Sequence, residues 1–145
     1  MEFVDDAISQ FIRLFAHNSA SANASEVCRQ FAEQFLVASP LGIQCVRSVD
    51  FAAALPRRKE LFDKLGRQST ELIGLKELKL DDRYVLAQTR WRFIFESPAA
   101  PRDKPDVVEV ESTFLVDTGR QPFQIILYLA HQNIMDILKE RGFEV

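Results

Sequence analysis

The chain has 145 residues, 47% of them hydrophobic and 27% charged, which suits one globular domain with one core. A net charge of −3 excludes nucleic acid as the main partner, because phosphate binding needs a basic surface. The longest apolar run, Ile125 to Ala130, is too short to span a bilayer, and the acidic start at Met1 to Asp6 lacks a signal-peptide core, so a cytoplasmic protein without membrane contact is expected.

Twelve phenylalanines point to a large, dry core, since Phe fills volume without needing a hydrogen-bond partner. Val4, Ile8, Phe11 and Phe15 recur at helical spacing and predict an amphipathic helix over 3–17. Asn18 to Asn23 is small and polar and reads as a linker. Asn23 and Glu26 have capping-box spacing, and Val27, Phe31 and Phe35 continue it as a second helix to about Phe35. Ser39-Pro40-Leu41-Gly42 breaks that helix, and Ile43 to Val46 reads as an edge strand. Arg47 and Asp50 fall in the following loop, where they would pair on the surface or meet a polar ligand group at a pocket mouth. Pro56 suits the first turn of a third helix carrying Leu61, Phe62 and Leu65, with Gly66 just past its end. The run Arg57-Arg58-Lys59 reads as a solvated helix end.

From residue 70 the period becomes two. Leu72 to Leu80 is one strand, Asp81-Asp82-Arg83 a turn, and Tyr84 to Phe95 a long strand. Ser97 to Asp106 holds three prolines and predicts a loop. Val107 to Val116 alternates again, Asp117 to Arg120 turns, and Phe123 to His131 is the last strand. Ile134, Ile137 and Leu138 predict a short closing helix ended by Gly142. Helices followed by hairpin-linked strands give an α+β class, with residues 1–145 as a single domain.

Alternation sorts the strand residues onto two faces. Thr89, Trp91, Phe93, Val110, Ser112, Phe114, Ile125, Leu127 and Leu129 are expected to face the helices. Arg90 and Arg92 on one strand and Glu109 and Glu111 on the next would pair on the outer face. Leu86, Ile94, Ile126 and Tyr128 join them there, so a surface for a second copy of the chain is expected, against a solvated sheet with scattered apolar residues.

Two helices, the Pro-Gly segment, a helix ending Glu60-Leu61-Phe62-Asp63-Lys64-Leu65-Gly66 and three long antiparallel strands resemble the nuclear-transport-factor-2-like superfamily. Thr89-Arg90-Trp91-Arg92-Phe93 and Tyr128-Leu129-Ala130-His131-Gln132-Asn133-Ile134 look like segments of its small bacterial members. The resemblance covers nearly the whole chain. It implies a cone-shaped, cystatin-like curved antiparallel sheet wrapped around N-terminal helices, a pocket at the wide end and pairing of two chains through the sheet. Members include ketosteroid isomerases, polyketide cyclases of the SnoaL type, dehydratases and non-catalytic ligand- or partner-binding proteins.

One fold with many activities leaves function to the site. Isomerase-like chemistry needs a carboxylate base and acidic donors in the pocket. Here Phe11 and Phe15 stand where the resemblance implies a tyrosine, and the inward strand faces carry no Asp or Glu. His131, at the end of the last strand, is the candidate general base, with a hydrogen-bonded structural histidine as the alternative. Trp91 offers a ring and a donor N–H, for a ligand or for packing. Thr89 and Ser112 are inward polar groups usually satisfied by the backbone, and His17 is explained by a helix C-terminus.

Cys28 and Cys45 sit among apolar residues outside any Cys/His cluster, so two buried reduced thiols are expected, with no metal and no cofactor. The expected pocket is lined by Phe15, Thr89, Trp91, Phe93, Ser112, Phe114 and Leu127. Three functions stay open. The first is a dimeric pocket protein holding a small apolar molecule. The second is a cyclase, isomerase or dehydratase with His131 as base. The third is an interaction module using the outer sheet face.

Overall fold

The computed structural model describes residues 6–96 and 105–144. The expected loop at 97–106 lies outside the described residues over 97–104, as does the start of the first predicted helix. In chain order the elements are α1 (Ala7–Ala20), α2 (Ala24–Arg29), β1 (Phe31–Ser39), β2 (Gly42–Arg47), α3 (Ser48–Ala53), α4 (Leu55–Lys64), β3 (Arg67–Lys79), β4 (Tyr84–Phe95), β5 (Asp106–Asp117), β6 (Gln124–Ala130) and α5 (Ile134–Glu140). The six strands form one sheet in the order β2-β1-β6-β5-β4-β3. Every pairing is antiparallel except β1 with β6, which is parallel.

Local chemistry explains most boundaries. Asp6 caps α1 by accepting from the Ser9 N–H at 2.7 Å, and Asn23 caps α2 by accepting from Glu26 N–H at 3.3 Å. Pro56 sits in the first turn of α4, and Gly66 follows its end with φ +94°, a conformation that favours glycine. The turn joining β5 to β6 is held by Asp117, whose carboxylate accepts from Arg83 Nε at 2.7 Å, Arg83 Nη2 at 2.9 Å and the Gly119 N–H at 2.9 Å. A Cβ on Gly119 would stand 2.8 Å from Arg83 Nε, which that bidentate pair pins in place.

The predicted second helix is corrected. It stops at Arg29, and Phe31–Ser39 is a strand. Val27, Phe31 and Phe35 are spaced by four, which aligns residues on one helix face and equally on one strand face. Pairing with β2 and β6 decides for the strand. Arg47 and Asp50 are not in a loop, because Ser48–Ala53 is helical and Arg47 precedes it. The third strand begins at Arg67, five residues earlier than Leu72. Cys28 is half-buried and Cys45 is exposed, so the expectation of two buried thiols is corrected.

β4 and β5 pair without interruption from Tyr84↔Asp117 to Phe95↔Asp106. Val85, Ala87, Thr89, Trp91, Phe93 and Phe95 are all buried on the face toward the helices, as alternation predicts. On the outer face Arg90 meets Glu111 at 3.2 Å and Arg92 meets Glu109 at 3.1 Å.

β6 departs from simple alternation. Leu115 pairs with Leu127, but the next residue, Val116, pairs with Ile125, so one residue is bulged out between them. The bulge inverts the parity of the β6 residues beyond it. Tyr128 is the partner of buried Phe114 and Leu127 the partner of Leu115. The predicted inward positions of Leu127 and Leu129 and outward position of Tyr128 are therefore exchanged.

The exchange completes a row on the outer face. Leu78, Leu86, Leu115, Leu127, Leu36 and Cys45 are successive register partners across β3, β4, β5, β6, β1 and β2. Leu78 is 56% exposed and Leu36 46%.

The core lies between the inner sheet face and the helices, and it is aromatic. Phe15 of α1 meets Phe31, Phe114 and Trp91 edge-on, with centroids 5.6, 5.3 and 6.3 Å away. Phe62 of α4 packs on Phe93 and Phe95 at 5.8 and 6.0 Å. Burying such rings is the largest favourable contribution to this fold.

Candidate functional site

Among the described residues the inner sheet face and the helices enclose a cavity of about 400 Å³. Its floor is Trp91, Phe93, Val110, Ser112, Tyr128 and Ala130 from the strands. Its roof is Phe15, Ala16, Ser19 and Ala20 of α1, and Phe51, Leu55 and Phe62 come from α3 and α4. Ile134 and Met135 of α5 close one end, beside Gln132 and Asn133. Arg58, Lys59, Arg67 and Thr70 stand at another side.

Of the residues expected to line a pocket, Phe15, Trp91, Phe93 and Ser112 border this cavity. Thr89, Phe114 and Leu127 do not. Thr89 and Phe114 are buried behind its wall, and the bulge turns Leu127 to the outer face. Tyr128 takes the expected place of Leu127. Its ring lies against Phe114 at 4.9 Å and Phe51 at 6.2 Å. Phe51, Phe62, Arg58 and Arg67 are not among the residues that the sequence points to as pocket lining; Arg58, expected at a solvated helix end, instead borders the cavity.

Trp91 presents its ring rather than its donor. The indole N–H donates to Thr89 Oγ1 at 2.7 Å and Ser112 Oγ at 2.9 Å. Thr89 in turn donates to the Ser112 carbonyl at 2.7 Å. With its single proton so used, Thr89 Oγ1 is the acceptor in its 3.1 Å contact with Ser112 Oγ. This closed polar knot satisfies three buried side chains and fixes the ring that forms the floor.

His131 is corrected in position. It is exposed, it is absent from the cavity wall, and its Nε2 lies 2.7 Å from Thr113 Oγ1 on the outer face. The same bulge that exchanges Leu127 and Tyr128 carries the histidine away from the inward series. Arg47 and Asp50 are likewise absent from the wall.

The charged groups near the cavity are mostly spent on each other. Asp63 accepts from Lys59 Nζ at 2.8 Å and Arg67 Nη2 at 3.2 Å. The Lys59 ammonium is the main cause holding the Asp63 carboxyl below its usual range, with Arg67 adding to it. Glu111 borders the cavity, and Arg90, its partner on the outer face, is the main cause that lowers its pKa. Among the described residues no three His, Cys, Asp or Glu side chains gather as a metal site requires. No helix of the described residues is long and apolar enough to cross a membrane.

Protein-family models and curated protein sequences gave no match. Solved structures did. An NTF-2-like protein with a cystatin-like fold from Novosphingobium aromaticivorans superposes with a TM-score of 0.67 at 10% identity, covering 86% of this chain and 79% of that one. The beta subunit of the benzoate 1,2-dioxygenase from Burkholderia mallei has a TM-score of 0.64 at 9% identity over 100% of this chain and 98% of its own. ActVI-ORFA from Streptomyces coelicolor has a TM-score of 0.66 at 12% identity, with 88% and 95% covered. Identities this low speak to architecture alone, and the architecture agrees with the element order and curved sheet described above: the chain has the nuclear-transport-factor-2-like, cystatin-like fold.

Proposed function

We propose that the chain is a pocket protein that holds a small, mainly apolar molecule and pairs with a second copy of itself through the outer face of the sheet. The observation carrying the first half is the cavity wall: rings and aliphatic groups surround about 400 Å³, and the Trp91 donor is already consumed. A preformed apolar hollow of this size with a few polar groups is what a small ligand requires. Among the described residues the wall offers no histidine or aspartate, and its one glutamate is paired outward with Arg90. That composition supports holding over acid–base chemistry, and it does not favour His131 as a general base.

The leucine row supports the second half. Five leucines in direct register across the sheet form an apolar stripe flanked by self-neutralised Arg/Glu pairs. A two-fold interface places the same patch on itself, and such a stripe is self-complementary in a way that a single-sign charged face is not. A partner of another kind on this face is the second reading; a structural neighbour that is itself a beta subunit gives it some support.

Native mass spectrometry of freshly purified protein tests both halves. Twice the chain mass, falling to the single chain mass in Leu115→Asp or Leu127→Asp, is the expected result, together with a retained small molecule or uptake of an added apolar one. A monomer in the wild type overturns the self-pairing. Failure to take up any apolar probe at millimolar concentration overturns the pocket.

A further inference from the structure

The cavity has a charged end that its apolar walls do not explain. Arg58, Lys59 and Arg67 all border it; Lys59 and Arg67 pair with Asp63, which lies outside the wall, and the wall's one glutamate, Glu111, pairs with Arg90. The Arg58 side chain has no hydrogen bond or ion pair to any described residue; its guanidinium lies 5.0 Å from the centre of the Phe62 ring. Arg67 lies 5.3 Å from the same ring, and its side chain is only 12% exposed, so it is part of the wall. Its Nη1 reaches only a long contact, 3.5 Å, to Thr70 Oγ1.

Phe62 is 1% exposed and packs against Phe93 and Phe95, which stack on each other. A guanidinium held near a buried ring is positioned by it, and its N–H donors that have no protein partner stay available to an anion. Two such arginines on one ring make a preorganised cationic shelf beside an apolar hollow.

We propose that the molecule held in the cavity carries a carboxylate, and that Arg58 and Arg67 bind it over Phe62. This rests on the pocket reading above and names the chemical class of its ligand. A carboxylate matches the planar guanidinium fork bidentately. A dianion such as phosphate fits less well, because Arg67 is largely withdrawn from water and each further charge moved there costs desolvation. The apolar body of the ligand then extends over the Trp91 and Phe93 floor.

The test compares two probes of nearly equal shape, adamantane-1-carboxylate and adamantane-1-carboxamide. Trp91 is the chain's single tryptophan and borders the cavity, so its emission reports occupancy, with calorimetry as a second readout. At low salt the carboxylate is expected to bind at least tenfold more tightly than the amide. Arg58→Gln should remove that advantage, and a far-ultraviolet circular dichroism spectrum and unfolding midpoint like those of wild type show that the variant is folded. Arg67→Gln should act in the same direction. Equal affinity for the two probes in the wild type, or an advantage that survives both substitutions, overturns the carboxylate assignment and leaves the pocket standing. If neither probe binds at millimolar concentration, the pocket reading falls and takes this assignment with it.

Discussion

Two pairs of strands in this sheet teach opposite lessons. β4 and β5 set Arg90, Arg92, Glu109 and Glu111 on the face opposite their inward residues, and their register runs unbroken over twelve partners, Tyr84↔Asp117 to Phe95↔Asp106. β1 and β6 carry apolar residues on both faces, and both are irregular: their mutual pairing shifts between Phe31 and Leu36, and β6 bulges against β5. Where the outer positions are arginine and glutamate, slipping by one residue would bury charge, so only one register is tolerable. Where both faces are apolar the cost of a slip is small, and neighbours decide. The candidate cavity lies along this divide. Its Trp91 and Phe93 floor comes from the unbroken pair and its Tyr128 wall from the irregular one.

The comparison can be broken most forcefully at Phe114, which is fully buried, belongs to β5 and packs on Tyr128 of β6 as well as on Phe15 of α1. Phe114→Ala should cost about 3–5 kcal/mol in denaturant unfolding, the range for losing a buried aromatic ring. A loss under about 1 kcal/mol would mean that the two strand pairs do not share one core.

Exchanging the roles in β6 sharpens it. Tyr128→Ala should destabilise the dilute protein by about 2 kcal/mol, since its ring packs on Phe51 and Phe114, while Leu127→Ala costs under about 1 kcal/mol. Strict alternation without the bulge predicts the reverse order, so the pair of unfolding curves tells the two arrangements apart.

The smallest effects are in pH dependence. Asp117, next to Arg83, has its carboxyl held down at about 2 against an ordinary 3.8. A lowered acid pKa stabilises the fold above the ordinary value and loses that contribution as pH falls through 3.8 toward 2. Arg83→Gln should flatten this acid limb of a stability–pH curve. Glu77 of β3 behaves oppositely: burial first, then the neighbouring Asp6, push it up to about 7 from 4.5. The folded state then holds the proton more tightly, so stability should decline as pH rises from 4.5 to about 7, and Glu77→Gln should remove that decline. Unchanged curves in both variants would show that neither group is perturbed in solution.

The sequence by itself determined the α+β class, the Pro56-to-Gly66 helix, the edge position of the strand at Ile43–Val46, and both faces of β4 and β5. These features come from local chemistry or from a polarity pattern that admits one solution. It also placed Phe15, Trp91, Phe93 and Ser112 on the side where the cavity lies. Only the tertiary structure decided that Phe31 and Phe35 lie on a strand, because spacing by four serves helix and strand alike. Only the β5–β6 pairing revealed the bulge that brings Tyr128 to the cavity and turns Leu127 and His131 outward. The grouping of Arg58 and Arg67 on one buried ring likewise needed the packing of α4 against β3, since the stretch of sequence between them carries no sign that they meet.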